Sequence, residues 1–174
     1  MKKFVLTGGP CTGKTTLLEE LGKRGFQIVP EVPRLVMKEE QSKGGSILPW
    51  IDLPGFEKIV FERQVEFESK LNDRPEAFLD RGIPDILSYH KVNSLAPPEE
   101  LIRSAERNKY DGVFLLDKLP FFENDPERKE DPEMAEKIHQ TIRETYGELG
   151  YDVIDVPPLS IEERAKFIIE KLSL

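Results

Sequence analysis

Residues 2–16 read Lys-Lys-Phe-Val-Leu-Thr-Gly-Gly-Pro-Cys-Thr-Gly-Lys-Thr-Thr. The segment begins as an apolar strand, turns and opens a helix, and its turn fits the pattern G-x-x-x-x-G-K-[ST]. Such a turn directs backbone N–H groups inward around a phosphate, and a side chain at Gly8 or Gly13 would obstruct that path. The N-terminus of the following helix points its N–H groups and positive dipole end at the same anion. The sequence therefore predicts a phosphate-binding loop at its first strand.

The side chains of this loop have expected roles at a nucleoside triphosphate. Lys14 supplies a positive charge toward the β- and γ-phosphates, and the Thr15 hydroxyl is a hard oxygen ligand suited to Mg²⁺. Contacts to the triphosphate are expected from Gly8, Gly9, Pro10, Cys11, Thr12, Gly13, Lys14, Thr15 and Thr16. The motif indicates the ligands and leaves the reaction open.

The rest of the chain alternates between short apolar strands and helices. Strands are predicted at 2–7, 26–29, 77–80, 113–116 and 151–154, and helices at 14–24, 32–41, 54–72, 83–93, 98–109, 132–146 and 160–172. Strands separated by helices predict an α/β fold, with a parallel sheet covered on both faces. In such a sheet ligands bind outside the carboxyl ends of the strands, so residues that follow each strand are candidates for the site.

Length and composition favour a single cytoplasmic domain that acts on a small ligand. The 174 residues fit one domain over 1–174, and one cysteine excludes an internal disulfide framework. The net charge of −8 gives extended nucleic acid no general attraction. No apolar run reaches the roughly 18–20 residues of a membrane span, and the first residues lack the apolar core of a signal peptide.

The third predicted strand ends in Phe78-Leu-Asp80-Arg81-Gly82. An acid that follows an apolar strand beside a phosphate loop is where such proteins hold Mg²⁺, directly or through water. Arg81 would point into the same cleft and clamp a phosphate. Asp117, which follows the strand at 113–116, satisfies the same loose pattern. The sequence leaves open which of Asp80 and Asp117 holds Mg²⁺.

The second predicted strand is followed by Glu31-Val-Pro-Arg34, which indicates an acceptor site across the cleft. Glu31 would accept a hydroxyl proton from the acceptor, and Arg34 would hold an anionic group of it. The alternative for Glu31 is an acid at a helix start, favoured by the helix dipole. Residues 35–75 would cover the acceptor, and Gln64 within them is a candidate to hydrogen-bond its base.

Two later segments would complete the nucleotide site. Residues 118–131 form a charged loop in which Arg128 and Lys129 are candidates for a lid that closes over the transferred phosphate and excludes water. The turn after the fifth strand would meet the nucleotide base, which adds Asp155 and Pro157 to the expected contacts.

A competing pattern resembles the motif order of regulatory GTPases. Asp52-Leu-Pro-Gly55 fits D-x-x-G, and Asn108-Lys-Tyr-Asp111 fits N-K-x-D. In a GTPase the second element follows a buried strand, whereas here it follows a charged helical stretch and precedes the strand at 113–116. It should therefore lie at the edge of the sheet opposite the phosphates, which argues against guanine recognition.

The order of three motifs resembles that of a known family. Residues 7–16, then Glu31-Val-Pro-Arg34, then residues 78–85 (Phe-Leu-Asp-Arg-Gly-Ile-Pro-Asp) are similar to the AAA-type ATPase/kinase family that includes the ribosylnicotinamide kinase domain. They are more distantly similar to thymidylate and deoxynucleoside kinases. The resemblance implies a three-layer P-loop fold, a five-stranded parallel sheet in the order 2-3-1-4-5, ATP and Mg²⁺.

The same resemblance assigns roles to individual positions. Glu31 and Arg34 match the family's acid and arginine after the second strand, Asp80 and Arg81 match its Asp-Arg pair, and Arg128 matches its lid arginine. Asp85 and Tyr89 follow that pair at a spacing the family shows, which makes Asp85 a substrate-binding candidate. The lid departs from the family, because Asn-Asp-Pro-Glu at 124–127 stands before Arg128 where the family often has Asp-Gly-x-Arg.

These observations predict a small-molecule kinase that passes the γ-phosphoryl group of ATP to a nucleoside- or nucleotide-like acceptor. Lys14, Arg81 and Arg128 would neutralise charge on the transferred group, and Glu31 would orient or deprotonate the acceptor. A nucleotide-dependent switch acting through a partner, or a plain ATPase or GTPase module, is the alternative. The sequence does not identify the acceptor.

Overall fold

A computed structural model describes residues 1–72, 74–119 and 132–174 of the chain. Within them, the elements follow in the order β1 (Lys2–Thr7), α1 (Lys14–Lys23), β2 (Gln27–Val29), α2 (Val32–Ser42), α3 (Leu53–Ser69), β3 (Glu76–Asp80), α4 (Ile83–Val92), α5 (Glu99–Arg107), β4 (Gly112–Leu116), α6 (Pro132–Glu148), β5 (Val153–Val156) and α7 (Ile161–Leu172). Each of these elements overlaps one that the hydrophobic pattern predicts.

The strands form one parallel sheet in the order β2-β3-β1-β4-β5, which confirms the expected P-loop order. The central strand β1 pairs with β3 on one side and with β4 on the other, and Leu6 lies opposite both Asp80 and Phe114. Because parallel strands end at one edge, the turn after β1 meets the residues that follow β3 and β4.

Alternate residues of β1 face opposite sides of the sheet, which builds two cores. Phe4 and Leu6 pack against leucines of α1 and apolar residues of α7, in the group Leu17, Leu18, Leu21, Ala165 and Ile168. Val5 packs on the other face with Val113, Leu115, Ile142 and Tyr146. A third cluster joins α2, α3, α4 and α5 beside the sheet, around Val36, Phe56, Ile83 and Leu101.

The fifth strand lies two residues later than the sequence predicts, at Val153–Val156 instead of 151–154. Tyr151 belongs to the turn that ends α6, because its N–H donates to the Tyr146 oxygen at 3.0 Å. Its ring also packs edge-on against the Tyr146 ring, and its hydroxyl donates to the Asn108 oxygen. These tertiary contacts outweigh the strand propensity of the apolar residues.

The patterns that mimic GTPase motifs have structural explanations. The Asp52 carboxylate accepts from the Gly55 N–H at 3.0 Å and caps the start of α3. Asp111 accepts from the Lys3 N–H at the beginning of β1, at the edge of the sheet opposite the loop. None of the helices within the described ranges is long and apolar enough to cross a membrane.

Candidate active site

The loop between β1 and α1 takes a path that its glycines permit. Gly8 has φ +133°, and a Cβ there would lie 2.8 Å from the Leu116 oxygen. Gly13 has φ +79° and stands immediately before α1. Cys11 also has a positive φ of 57°, which is unusual for a residue with a side chain. The loop is therefore held in a conformation that costs free energy, as is common at binding sites.

The side chain of Lys14 curls back across this loop and is buried. Its ammonium group donates to the Gly9 oxygen at 2.7 Å, to the Gly8 oxygen at 3.0 Å and to the Thr12 hydroxyl at 3.2 Å. The turn thus carries a full positive charge at its centre, in addition to the N-terminus of α1.

Asp80 stands at the end of β3 beside the start of α1, with its side chain fully buried. Its Oδ2 accepts from the Thr15 hydroxyl at 2.9 Å, whereas its Oδ1 is buried and has no hydrogen-bond partner within the described residues. Burial and the charge of Glu31 raise the pKa of Asp80, against the opposing effect of Lys14 and Arg81.

These features fit a magnesium ion, because a buried carboxylate oxygen without a partner and a threonine hydroxyl are hard oxygen ligands. Asp117, the other candidate, is half-buried after β4, and the structure shows its backbone oxygen bonded to Arg164 at 3.0 Å. Of the two acids, Asp80 is the one that the fold brings against Thr15.

Arg81 follows Asp80 and is held in the left-handed backbone region with φ 75°. Its buried guanidinium lies 3.4 Å from Glu31 Oε1 and 3.5 Å from Asp85 Oδ1, and it stacks 5.1 Å over the Tyr89 ring. Burial alone would lower the pKa of Arg81, but Tyr89 and the surrounding carboxylates raise it above its usual value. Arg81 is thus a permanently charged, well-oriented group at the end of β3.

Glu31 joins the end of β2 to this charge cluster. Its other oxygen lies 3.4 Å from the Arg34 guanidinium, so that Glu31 bridges two arginines. The structure brings together Lys14, Thr15, Glu31, Asp80 and Arg81, with Arg34 at the margin.

Two residues expected at the acceptor are engaged by the protein itself. The Asp85 carboxylate, also buried, accepts from the Gly82 N–H at 2.9 Å and from the Tyr146 hydroxyl at 2.7 Å, and also from the Thr7 hydroxyl. Gln64 donates its amide to the Arg81 oxygen at 3.3 Å and to Glu68 at 3.1 Å. Both line a cavity beside the Glu31–Arg81 pair, and their contact with an acceptor stays a prediction.

Other expected residues lie apart from the cluster or outside the described part of the chain. Asp155 belongs to β5 itself rather than to the turn after it, and its exposed carboxylate pairs with Arg143. Thr16 is exposed on α1. Arg128, Lys129 and most of the expected lid at 118–131 lie outside the described residues.

Arg164 was not anticipated from the sequence, although it is buried at the phosphate loop. Its guanidinium donates to the Thr12 oxygen at 2.6 Å, to the Pro157 oxygen at 2.9 Å and to the Asp117 oxygen at 3.0 Å. Pro157 therefore reaches the loop indirectly, through Arg164. The sequence signal for the burial of Arg164 is its position on the apolar face of α7, which it shares with Ile161, Ala165 and Ile168.

His139 is a second residue at the loop that no sequence motif indicates. It lies on α6, and its Nδ1 accepts from the Gly9 N–H at 3.3 Å. Burial lowers the pKa of His139, which favours the neutral ring that this bond requires. No spacing in the sequence points to this contact, because 130 residues separate the two groups.

A cavity of about 350 Å³ opens beside the Glu31–Arg81 pair. Its wall is mostly apolar and takes five residues from α3 and the aromatic side chains of Trp50 and Tyr89. The lining includes Pro33, Met37, Leu53, Phe56, Glu57, Val60, Gln64, Asp85 and Ile86. Glu57 is an acid that sequence analysis did not single out, and burial raises its pKa to about 7. A cavity of this size and polarity is typical of a small-molecule site.

Comparisons with known proteins agree with this geometry. A family model described as AAA domain matches residues 3–164, and no curated protein matches the chain. Deoxyadenosine kinase from M. mycoides, with products dCMP and a flexible dCDP bound, is 18% identical with a TM-score of 0.68 over 98% of each chain.

Two further solved structures share the fold. The NadR protein in complex with NR is 17% identical with a TM-score of 0.70, and the match covers 98% of this chain and 50% of NadR. The YorR protein from Bacillus subtilis, in complex with phosphorylated GDP, is 19% identical with a TM-score of 0.57, covering 99% and 96% of the two chains. The resemblance to P-loop kinases inferred from the motif order is confirmed.

Proposed function

Because this chain belongs to the AAA domain family, we propose that it is a phosphotransferase that uses ATP and Mg²⁺ to phosphorylate a small nucleoside-like acceptor. The observation that carries the proposal is the position of the Glu31–Arg81 pair. It lies between the phosphate loop, where Asp80 contacts Thr15, and an apolar cavity with room for an organic molecule. A cavity for a second ligand beside the phosphate loop favours a kinase over a module that only binds or hydrolyses a nucleotide.

The loop would hold the triphosphate. Its backbone N–H groups and the N-terminus of α1 favour an anion, and Lys14 adds a full charge. Thr15 and Asp80 would hold Mg²⁺, which neutralises phosphate charge when it is bound. The buried Oδ1 of Asp80, which has no hydrogen-bond partner in the described part of the chain, supports this assignment.

The acceptor would lie in the cavity with a hydroxyl group toward Glu31. Glu31 would orient that hydroxyl and accept its proton, while Arg81 offsets negative charge on the transferred phosphoryl group. The two arginines beside Glu31 keep its carboxylate in place. Most of the rate acceleration would come from positioning and from this pre-arranged charge.

Transfer of labelled phosphate from ATP to a panel of nucleosides and nucleotides tests the proposal. Lys14→Ala should abolish transfer and the rise in melting temperature caused by ATP, with Lys23→Ala, an exposed lysine at the end of α1, as the matched control. Acceptor-stimulated turnover supports a kinase. Slow hydrolysis that ignores every acceptor would instead identify a switch or ATPase and overturn the proposal.

A further inference from the structure

Glu57 is an acid inside the apolar part of the cavity. It lies on α3 next to Phe56, with 5% of its surface exposed, and it forms part of the cavity wall. Within the described residues, its carboxyl group makes no hydrogen bond or ion pair. Carboxylates are rarely buried without a partner, because their desolvation costs several kcal/mol. An acid maintained in this position is therefore a candidate for contact with a ligand.

The surroundings of Glu57 define what it could bind. The other titratable groups that line the same cavity are Glu31, which precedes α2, Arg81, which precedes α4, and Asp85 and Tyr89 of α4. The lining residues from α6, Met134 and Ile138, are uncharged. Among these groups, Arg81 is the one whose charge lowers the pKa of Glu57, against the larger effect of burial, which raises it. Arg81 is already engaged by Glu31 and Asp85.

The charge of the cavity disfavours an acceptor that carries a phosphate. Among residues 1–72, 74–119 and 132–174, its lining holds the three acids Glu31, Glu57 and Asp85 and one cation, Arg81. Within the described part of the chain, an incoming phosphate would meet more acidic than basic groups in the lining, whereas an N–H donor would be attracted. The aromatic side chains of Trp50, Phe56 and Tyr89 line the same space and suit a flat ring.

We propose that Glu57 is a specificity-determining residue that accepts a hydrogen bond from the exocyclic amine of an unphosphorylated nucleoside. This rests on the proposed function and names the acceptor class of the same site. A nucleoside with an oxo group at that position would leave the ionised Glu57 carboxylate facing an oxygen. The expected discrimination is tenfold to a hundredfold in kcat/KM, the usual range for a lost hydrogen bond to a charged group.

Two matched ligand pairs test this inference: adenosine against inosine, and cytidine against uridine. Within each pair the exocyclic amine is replaced by an oxygen, and the adjacent ring nitrogen changes from an acceptor to an N–H donor. The native chain should prefer the amine within at least one pair, and Glu57→Gln should reduce that preference at least tenfold. Glu62→Gln, an exposed acid on the same helix, is the control and should leave the preference unchanged.

The pH profile separates recognition from a merely structural role. Because burial places the pKa of Glu57 at about 7, KM for the amine-bearing nucleoside should fall as pH rises from 6 to 8. Glu57→Gln should flatten this trend. A preference or a pH trend that persists in Glu57→Gln would overturn the inference, as would better phosphorylation of nucleoside monophosphates than of nucleosides.

The inference and the proposed function fail in distinguishable ways. Nucleoside binding is also measured without ATP, from the rise in melting temperature at saturating nucleoside. If no acceptor is phosphorylated, the kinase proposal fails, and amine-selective binding that depends on Glu57 would still support the inference. If phosphate is transferred and neither pair is discriminated, the kinase proposal stands and the role of Glu57 is refuted.

Discussion

Arg164 donates a hydrogen bond of 2.6 Å to the backbone oxygen of Thr12, which lies 152 residues away in the chain. The same guanidinium reaches the oxygens of Asp117 and Pro157, and the side chain has no exposed surface. One buried cation thus links the phosphate loop to the residues after β4 and β5. It satisfies backbone oxygens that would otherwise be buried without donors.

Replacing Arg164 by methionine should destabilise both the fold and the loop. Three backbone oxygens lose their donor, so the free energy of unfolding should fall by about 3 kcal/mol. The rise in melting temperature with ATP should shrink as well. Urea denaturation and thermal shift measure the two effects, with Lys166→Met on the exposed face of α7 as the control. Unchanged ATP binding in Arg164→Met would show that the loop keeps its shape without this contact.

Alanine substitutions at three glycines distinguish the cost of a positive φ from the cost of a steric clash. Gly147 lies in α6 with open space around it, so Gly147→Ala should stabilise the protein by about 0.5–1 kcal/mol. Gly25 has φ +98° and equally open surroundings, so Gly25→Ala should cost about 1–2 kcal/mol. Gly8 adds a 2.8 Å approach to the Leu116 oxygen to its positive φ, so Gly8→Ala should cost more than Gly25→Ala. Urea denaturation of the three variants checks the order, and equal costs at Gly8 and Gly25 would contradict the collision.

Asp80 and Asp117 are the two candidate magnesium ligands, and matched asparagine variants distinguish them. Asp80→Asn should abolish the part of ATP binding that depends on Mg²⁺, because Asp80 is the acid beside Thr15. Asp117→Asn should retain it. The measurement is ATP affinity with Mg²⁺ and with EDTA for each variant. Loss of the Mg²⁺ effect in Asp117→Asn alone would transfer the role to Asp117.

Glu57 should make the stability of the protein depend on pH. Its folded pKa of about 7 lies above its ordinary value of 4.5, so the native state binds more protons than the unfolded chain between these values. The contribution of Glu57 to stability is complete below pH 4.5 and is lost as pH rises to 7. Glu57→Gln should therefore gain up to about 3 kcal/mol relative to the native chain between pH 5 and 8. Urea denaturation at pH 5 and pH 8 measures this difference in the free energy of unfolding. Parallel pH profiles for the two proteins would refute the raised pKa of Glu57.

Asp85 should contribute to the stability of the protein more than to its selectivity among acceptors. Its carboxylate holds Thr7, Tyr146 and the start of α4, so Asp85→Asn should destabilise the protein by about 2 kcal/mol. Turnover should fall by a similar factor for every acceptor. Asp155→Asn, which changes an exposed acid, is the control. A selective rise in KM for one acceptor, with stability preserved, would instead make Asp85 a direct ligand.

Much of the molecule could be predicted from local pattern. The phosphate loop, the order of the elements and the positions of Asp80 and Arg81 follow from residues that are close in sequence, since glycine geometry and hydrophobic periodicity act locally. The fifth strand was displaced by two residues because Tyr151 is held by Tyr146 and Asn108. No local pattern contains those partners.

The amino-acid sequence by itself determined the loop at residues 8–15, the parallel sheet and the acids at the strand ends. Only the tertiary structure decided which side chains these groups meet. It placed Arg164 against Thr12, brought Asp85 within hydrogen-bond distance of Tyr146 and buried Glu57 in the cavity wall. The reason is physical: local propensity depends on neighbours in the chain, whereas burial and hydrogen-bond partners arise from residues dozens to more than a hundred positions apart, which meet only in the folded structure.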